Sequence, residues 1–303
     1  MFSFVFVMSH LLALIFFVRL FLPKRYICLN PYVVGIDNLL MRFLSFLRVA
    51  FPFDDRILCL FLMIGSLSTR AVLLTQVDGG VVRLGAVALF TFHPSSFIQW
   101  LEVEVFQFVL FLVTLWSAYV VLRIWCCRQV FQGFSGGLLV MACSPFSRFR
   151  LAVQWGILCV LWTSLLLLLY QNASDITYPL GEASDVVAYF QQLHIVNIFD
   201  LRQFPHFIRI IFLSAVGFLN VFNELYTILC AFFSLHLLAR LLRMRSIQYF
   251  LEGALRLLCG RLPAITFFSV DVSPLVAMIM FSVVDVILNG VLCMSLLGVA
   301  HVV

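Results

Sequence analysis

The chain has 303 residues, of which 64% are hydrophobic and 11% charged, with a mean hydropathy of +1.12 and a formal net charge of +5. Too little polar surface remains to coat a water-soluble domain of that length, so the composition excludes a soluble globular enzyme and points to a polytopic membrane protein. Lys24 stands alone among eighteen arginines, and 34 residues are phenylalanine, a skew that either a small organellar genome or an arginine-rich nuclear gene would produce. The N-terminal Met1-Phe-Ser-Phe-Val-Phe runs straight into an apolar stretch with no basic leader or cleavage site, as expected of a product made inside the organelle that uses it. Nine cysteines are scattered, with no CxxC and no His/Cys spacing suited to a metal. No Walker loop or GxGxxG is present, so neither a metal nor a nucleotide cofactor is expected, and no nucleic-acid partner.

A span needs about twenty apolar residues. The first runs from Phe2 to Leu22, interrupted by His10 and Arg19, and Pro23-Lys24-Arg25 ends it. From Asn30 to Asp55 the chain is too polar to cross. Leu39, Leu40, Phe43, Leu44 and Leu47 recur there at helical spacing, which predicts an amphipathic surface helix over about 35–50. A second span covers Ile57 to Val77, with Arg70 near its far end. Val81 to Phe92 is apolar but short, and Val105 to Trp125 is a clear span preceded by Glu102 and Glu104. After the Gly- and Arg-bearing segment Cys126 to Arg150, Leu151 to Tyr170 spans again.

Residues 171–206 form a long polar connection containing Gly181-Glu-Ala-Ser-Asp-Val-Val-Ala-Tyr-Phe190. Its acids, Glu182 and Asp185, lie three residues apart. Ile208 to Leu238 reads either as two helices meeting at a turn or as one long tilted helix, interrupted by Asn220, Asn223 and Glu224. Arg240, Arg243, Arg245, Arg256 and Arg261 form a basic loop over about 240–262, on the same side as Lys24, Arg25, Arg42 and Arg48 by the positive-inside tendency. A last apolar run extends from Ile265 to Val303. The fold expected is all-α, a single transmembrane domain over 1–303 with about eight transmembrane helices and one amphipathic surface helix.

Several of these fragments resemble subunit 1 of the proton-pumping NADH–ubiquinone oxidoreductase, respiratory complex I, in a divergent form. Pro31-Tyr-Val-Val-Gly35 followed by Leu39-Leu40 is similar to that family's Gly-Pro-Asn-x-Val-Gly-x-x-Gly-Leu-Leu motif, which puts Arg19 on the arginine of the preceding Glu-Arg-Lys. Gly181 to Phe190 resembles the family's acidic loop with one glutamate missing. Arg243-Met-Arg245-Ser-Ile-Gln248 with Leu262-Pro263 resembles its Pro-Arg-x-Arg-x-Asp-Gln and following Leu-Pro. The family's acid at the start of its fourth span falls on Glu104 in one register. In another, Arg150 to Gln154 match and Cys159 takes the place of the acid. The register on Glu104 leaves room for two spans before the acidic loop, and it places Arg128 to Arg150 on the outer side.

The resemblance implies a core membrane subunit that lines a quinone tunnel and couples quinone reduction to proton translocation, enzymatic only as part of the complex. Ubiquinone is then the substrate, and the other subunits and membrane lipid, cardiolipin among them, are the partners. The mitochondrial inner membrane is the location. Glu104, Glu182, Asp185 and Glu224 become the proton path, and Arg19, Arg243 and Arg245 the tunnel mouth or the docking surface for the peripheral arm. Two rival readings remain from the residues alone. One is the proton-channel subunit of a rotary ATP synthase, with Arg240 as its essential arginine. The other is a non-catalytic scaffold or assembly subunit of a respiratory membrane complex.

Overall fold

The structure, a computed structural model, describes residues 2–21, 31–51, 53–74, 80–84, 87–92, 97–126, 134–172, 206–263, 265–267 and 270–300. Among them are nine α-helices: α1 (Phe2–Phe21), α2 (Pro31–Ala50), α3 (Asp55–Leu74), α4 (Phe97–Trp125), α5 (Phe134–Ala142), α6 (Leu151–Asn172), α7 (His206–Leu241), α8 (Arg245–Cys259) and α9 (Ser273–Ala300). Two short antiparallel hairpins interrupt this otherwise all-α fold, β1 (Gly80–Leu84) with β2 (Val87–Phe92) and β3 (Thr266–Phe267) with β4 (Val270–Asp271).

The expected count of about eight transmembrane helices is overturned. Among the described residues three helical stretches are long and apolar enough to cross a membrane: Asp55–Leu73, Phe97–Trp125 and Val221–Leu241. Ser9–Phe21, Leu151–Leu165 and Ser273–Leu288 are shorter apolar stretches within α1, α6 and α9. Apolar sequence that could have formed further spans folds otherwise. Val81 to Phe92 becomes the β1–β2 hairpin, pairing Gly80 with Phe92 and Leu84 with Val87 across an irregularity between Val82 and Arg83. Its valines and phenylalanines suit a strand as well as a lipid-facing helix. The molecule is a helical protein with the long apolar helices of a membrane-associated one.

The hairpin returns the chain to the end it left, which reverses the sides of everything after it. Helices α3 and α4 are antiparallel neighbours, because Arg70 meets Glu104 and Gln107 while Leu67 packs with Phe108 and Leu112. Helix α1 is antiparallel to α3, with Ala13 beside Leu67 and Phe16 beside Leu58 and Cys59. Helix α6 is antiparallel to α4: Trp162 Nε1 donates to Ser117 Oγ at 3.1 Å, and Arg123 donates to Gln154 at 2.8 Å. Arg123 therefore shares an end of the bundle with Arg19. So does Arg148, whose guanidinium donates to the Phe21 carbonyl at 3.0 Å. The expectation that Arg148 lies on the side opposite Arg19 is corrected by this contact, and Arg128 lies outside the described residues.

Helix α2 forms where its periodicity predicts, with only part of the stripe buried. Leu40 and Leu44 pack against Phe16, Leu58 and Cys59, whereas Leu39 is 73% exposed and Phe46 75%. Ile208 to Leu238 resolves into one helix, α7, of 36 residues. The basic 240–262 segment is not a loop but mostly helix α8, whose Leu251, Ala254, Leu255 and Leu258 line one buried face at i, i+3, i+4 and i+7 spacing. The α7–α8 turn carries the two hydrogen bonds of a Schellman motif, Met244 N to Ala239 O at 2.9 Å and Arg243 N to Arg240 O at 3.1 Å. Arg243 occupies its left-handed position at φ 57°.

Candidate functional site

Each of the helices α1, α3 and α4 carries a polar residue that a solitary apolar helix would not bury. Antiparallel packing brings all three together. Arg70 Nε lies 2.7 Å from Glu104 Oε2, and its Nη2 donates to Gln107 Oε1 at 2.9 Å. Nη1 lies 2.6 Å from His10 Nε2 and 2.9 Å from Nδ1. A guanidinium has donors only, so the His10 ring accepts from it through an unprotonated nitrogen. The imidazole stacks on Phe111, with ring centroids 5.9 Å apart at 18°. Its Nε2 is also 3.8 Å from Glu104 Oε2.

Glu104 is completely buried, and neither of its carboxylate oxygens receives an aligned hydrogen bond among the described residues. The contact with Arg70 is close in distance, but its N–H direction is off the carboxylate. A carboxylate in an apolar bundle with lone pairs still unmatched is costly, and it is where a water or a proton is best accommodated. Glu104 lies seven residues into α4 and Arg70 four before the end of α3, which puts the cluster about 6–10 Å inside the end that bears the hairpin.

Beyond the cluster the packing is apolar. Ala13, Leu67, Phe108 and Leu112, all nearly or fully buried, fill the layer between it and the opposite end. There the second polar layer begins: Arg19 Nε pairs with Asp37 of α2 at 2.9 Å, and Arg48 pairs with Asp55 at the start of α3.

Of the residues singled out from sequence, Glu104 lies at the centre of the buried cluster. Arg19 belongs to the other layer, tying α1 to α2. Glu224 sits half-buried within the unbroken helix α7 rather than at a turn, and it is not among the residues gathered round Glu104. Arg243 and Arg245 are exposed on the α7–α8 turn and are not joined to Arg19 by any described contact. Glu182 and Asp185 lie outside the described residues. Sequence reading missed His10 and Gln107 and gave Arg70 no role. The available signal was one ionisable residue in each of three successive apolar stretches, at depths that coincide once neighbouring helices run antiparallel.

Among the described residues no group of three His, Cys, Asp or Glu side chains gathers as a metal would require. Burial pushes the Cys259 thiol up to about 11, which keeps it protonated and a poor nucleophile near neutrality. Compared with known protein families, with curated proteins and with solved structures, the chain matches none.

Proposed function

We propose that the chain is a membrane subunit of a proton-translocating respiratory assembly, of the type it resembles in NADH–ubiquinone oxidoreductase, and that Glu104 is its proton-handling carboxylate. The observation that carries this reading is the fully buried Glu104, held by Arg70 and beside His10, with carboxylate oxygens that lack aligned donors. Arg70 holds the negative charge in place, and its bonds to His10 and Gln107 fix its own position. Protonation of Glu104 weakens the attraction to Arg70, and deprotonation restores it, so one proton changes the charge balance of three helices.

In this reading Arg19 and Asp37 anchor helix α2 over the opposite end, where the phenylalanine-rich walls suit an apolar quinone such as ubiquinone. Arg243 and Arg245, exposed on their turn, suit docking of another subunit better than lining a tunnel. The mitochondrial inner membrane is the proposed location, with other subunits and lipid covering the exposed apolar faces. A rotary ATP synthase is less well supported, since Arg240 lies in the last turn of α7 rather than along it.

The test uses the full chain in its own membranes. The wild-type chain is expected to co-purify with a flavin- and iron–sulfur-containing NADH-oxidising complex. Glu104→Gln, which keeps the size of the side chain, is expected to leave that complex assembled while proton pumping falls at least tenfold. Co-purification with an ATPase, or full pumping in the variant, would sink the proposal.

A further inference from the structure

A cavity of about 420 Å³ lies where α7 ends, walled by α7, α8, the β3–β4 hairpin and the start of α9, with no residue of the Glu104 cluster in its lining. Its charges balance, Arg240 and Arg256 against Glu252 and Asp271. Asp271 keeps its charge while its Oδ1 accepts from the Ser273 backbone N–H at 2.9 Å and from Ser273 Oγ at 2.6 Å, capping α9. Arg240 is engaged in an interaction of its own. That leaves Glu252 and Arg256. They lie four residues apart on α8, acid before base, the order and spacing that favour an ion pair. Yet neither belongs to an ion pair among the described residues, and both are exposed at the cavity. His236 also lines it, with a buried Nδ1 that has no hydrogen-bond partner among the described residues. An unmatched nitrogen beside a cavity is a second sign of a polar ligand.

We infer that this cavity binds the headgroup of a zwitterionic lipid, a phosphodiester linked to a primary ammonium. Glu252 accepts from the ammonium, and Arg256 donates to the phosphodiester oxygens, two charge-assisted contacts about one helical turn apart. A net-neutral headgroup leaves the balance of the lining as it is. A purely anionic one brings its phosphate near Glu252 and Asp271 with no cation to offset them. The lipid as carrier follows from position: the cavity opens where the apolar stretch Val221–Leu241 ends and Ser273–Leu288 begins, the level at which hydrocarbon gives way to headgroups. Tyr249, three residues before Glu252, is 78% exposed and Leu241, at the end of α7, 79%, and both offer apolar surface to acyl chains. The volume falls within the range of ordinary small-molecule sites.

Purified full-length chain in detergent is titrated with short-chain phosphatidylethanolamine, with phosphatidylglycerol and with soluble glycerophosphoethanolamine, and native mass spectrometry counts the bound ligand. One phosphatidylethanolamine per chain is expected, bound about tenfold more tightly than phosphatidylglycerol. Glu252→Gln should erase that preference, and Arg256→Gln should weaken both lipids about fivefold or more. Phosphatidylglycerol bound as tightly as phosphatidylethanolamine by the wild-type chain overturns the zwitterion, a result that depends on no variant folding. A preference that survives Glu252→Gln overturns the site. Glycerophosphoethanolamine bound as tightly as the lipid, and lost in the same variants, would retain the headgroup site but overturn the lipid as its source.

Discussion

The α1–α3–α4 bundle has two polar layers that treat charge in opposite ways. At the hairpin end, Glu104 is wholly buried against Arg70, with His10 and Gln107 completing the set. At the other end, Arg19 and Asp37 are 10% and 19% exposed, and Arg48 is 45% exposed where it pairs with Asp55. The groups are similar in kind, but their surroundings give them different worth. A buried pair costs desolvation that its own attraction barely offsets, and breaking it leaves a bare charge in an apolar medium. An exposed pair is screened by water and contributes little. Arginines at the outer layer serve as anchors, whereas those within the core constrain three helices at once.

The largest expected effect breaks the inner layer. Glu104→Leu strands the Arg70 charge and should lower stability by about 3–5 kcal/mol, whereas Asp55→Ala at the outer layer should cost no more than about 1 kcal/mol. Chemical unfolding of the detergent-solubilised chain measures both, and equal losses would erase the distinction between the layers. Glu104→Leu combined with Arg70→Leu should recover most of the loss, because no unpaired charge remains.

A second prediction concerns what holds the arginine-rich end together if not charge. Gly260, at φ 62°, closes α8 against Trp125, whose indole Cδ1 would lie 2.1 Å from an added Cβ. Gly260→Ala should therefore cost roughly 3 kcal/mol through backbone strain and overpacking together. A near-neutral effect would mean that the indole moves aside freely and that packing is not the constraint.

The smallest effect separates a backbone role from a chemical one. Arg243 holds the left-handed position of the Schellman turn, where glycine is the favoured residue. Arg243→Gly should stabilise the chain by about 0.5–1 kcal/mol. Under the proposed function, if the same change also lowers NADH:quinone reductase activity, the side chain acts in docking as well as in the turn.

Much of this was legible in the sequence, and the failures have two causes. Composition sufficed for a helical, membrane-associated protein, and the leucine spacing located α2 with Leu40 and Leu44 on its buried side. Periodicity could not distinguish a buried strand from a short span in Val81 to Phe92, because an apolar run of that length suits either. That ambiguity bears on the direction of the helices that follow, which is why Arg148 was expected on the side opposite Arg19. Glu104 stood out as an acid entering an apolar helix. Its partners did not, since His10 and Arg70 are 60 residues apart and meet only through the antiparallel packing of α1 and α3. A linear reading sees two unrelated interruptions where the fold makes one contact.

The apolar layer of Ala13, Leu67, Phe108 and Leu112 has an electrical consequence. It lies between His10 and Arg19, which are nine residues of α1 and ~14 Å of helix rise apart. Such a gap behaves as the dielectric of a capacitor: it transmits a field. One charge appearing or vanishing at Glu104 changes the energy of a charge at the Arg19 end by about 1 kcal/mol at an effective dielectric constant near 20. That is a bias of somewhat under tenfold on any binding equilibrium there. The two ends of the bundle can therefore sense one another's charge state without exchanging a particle.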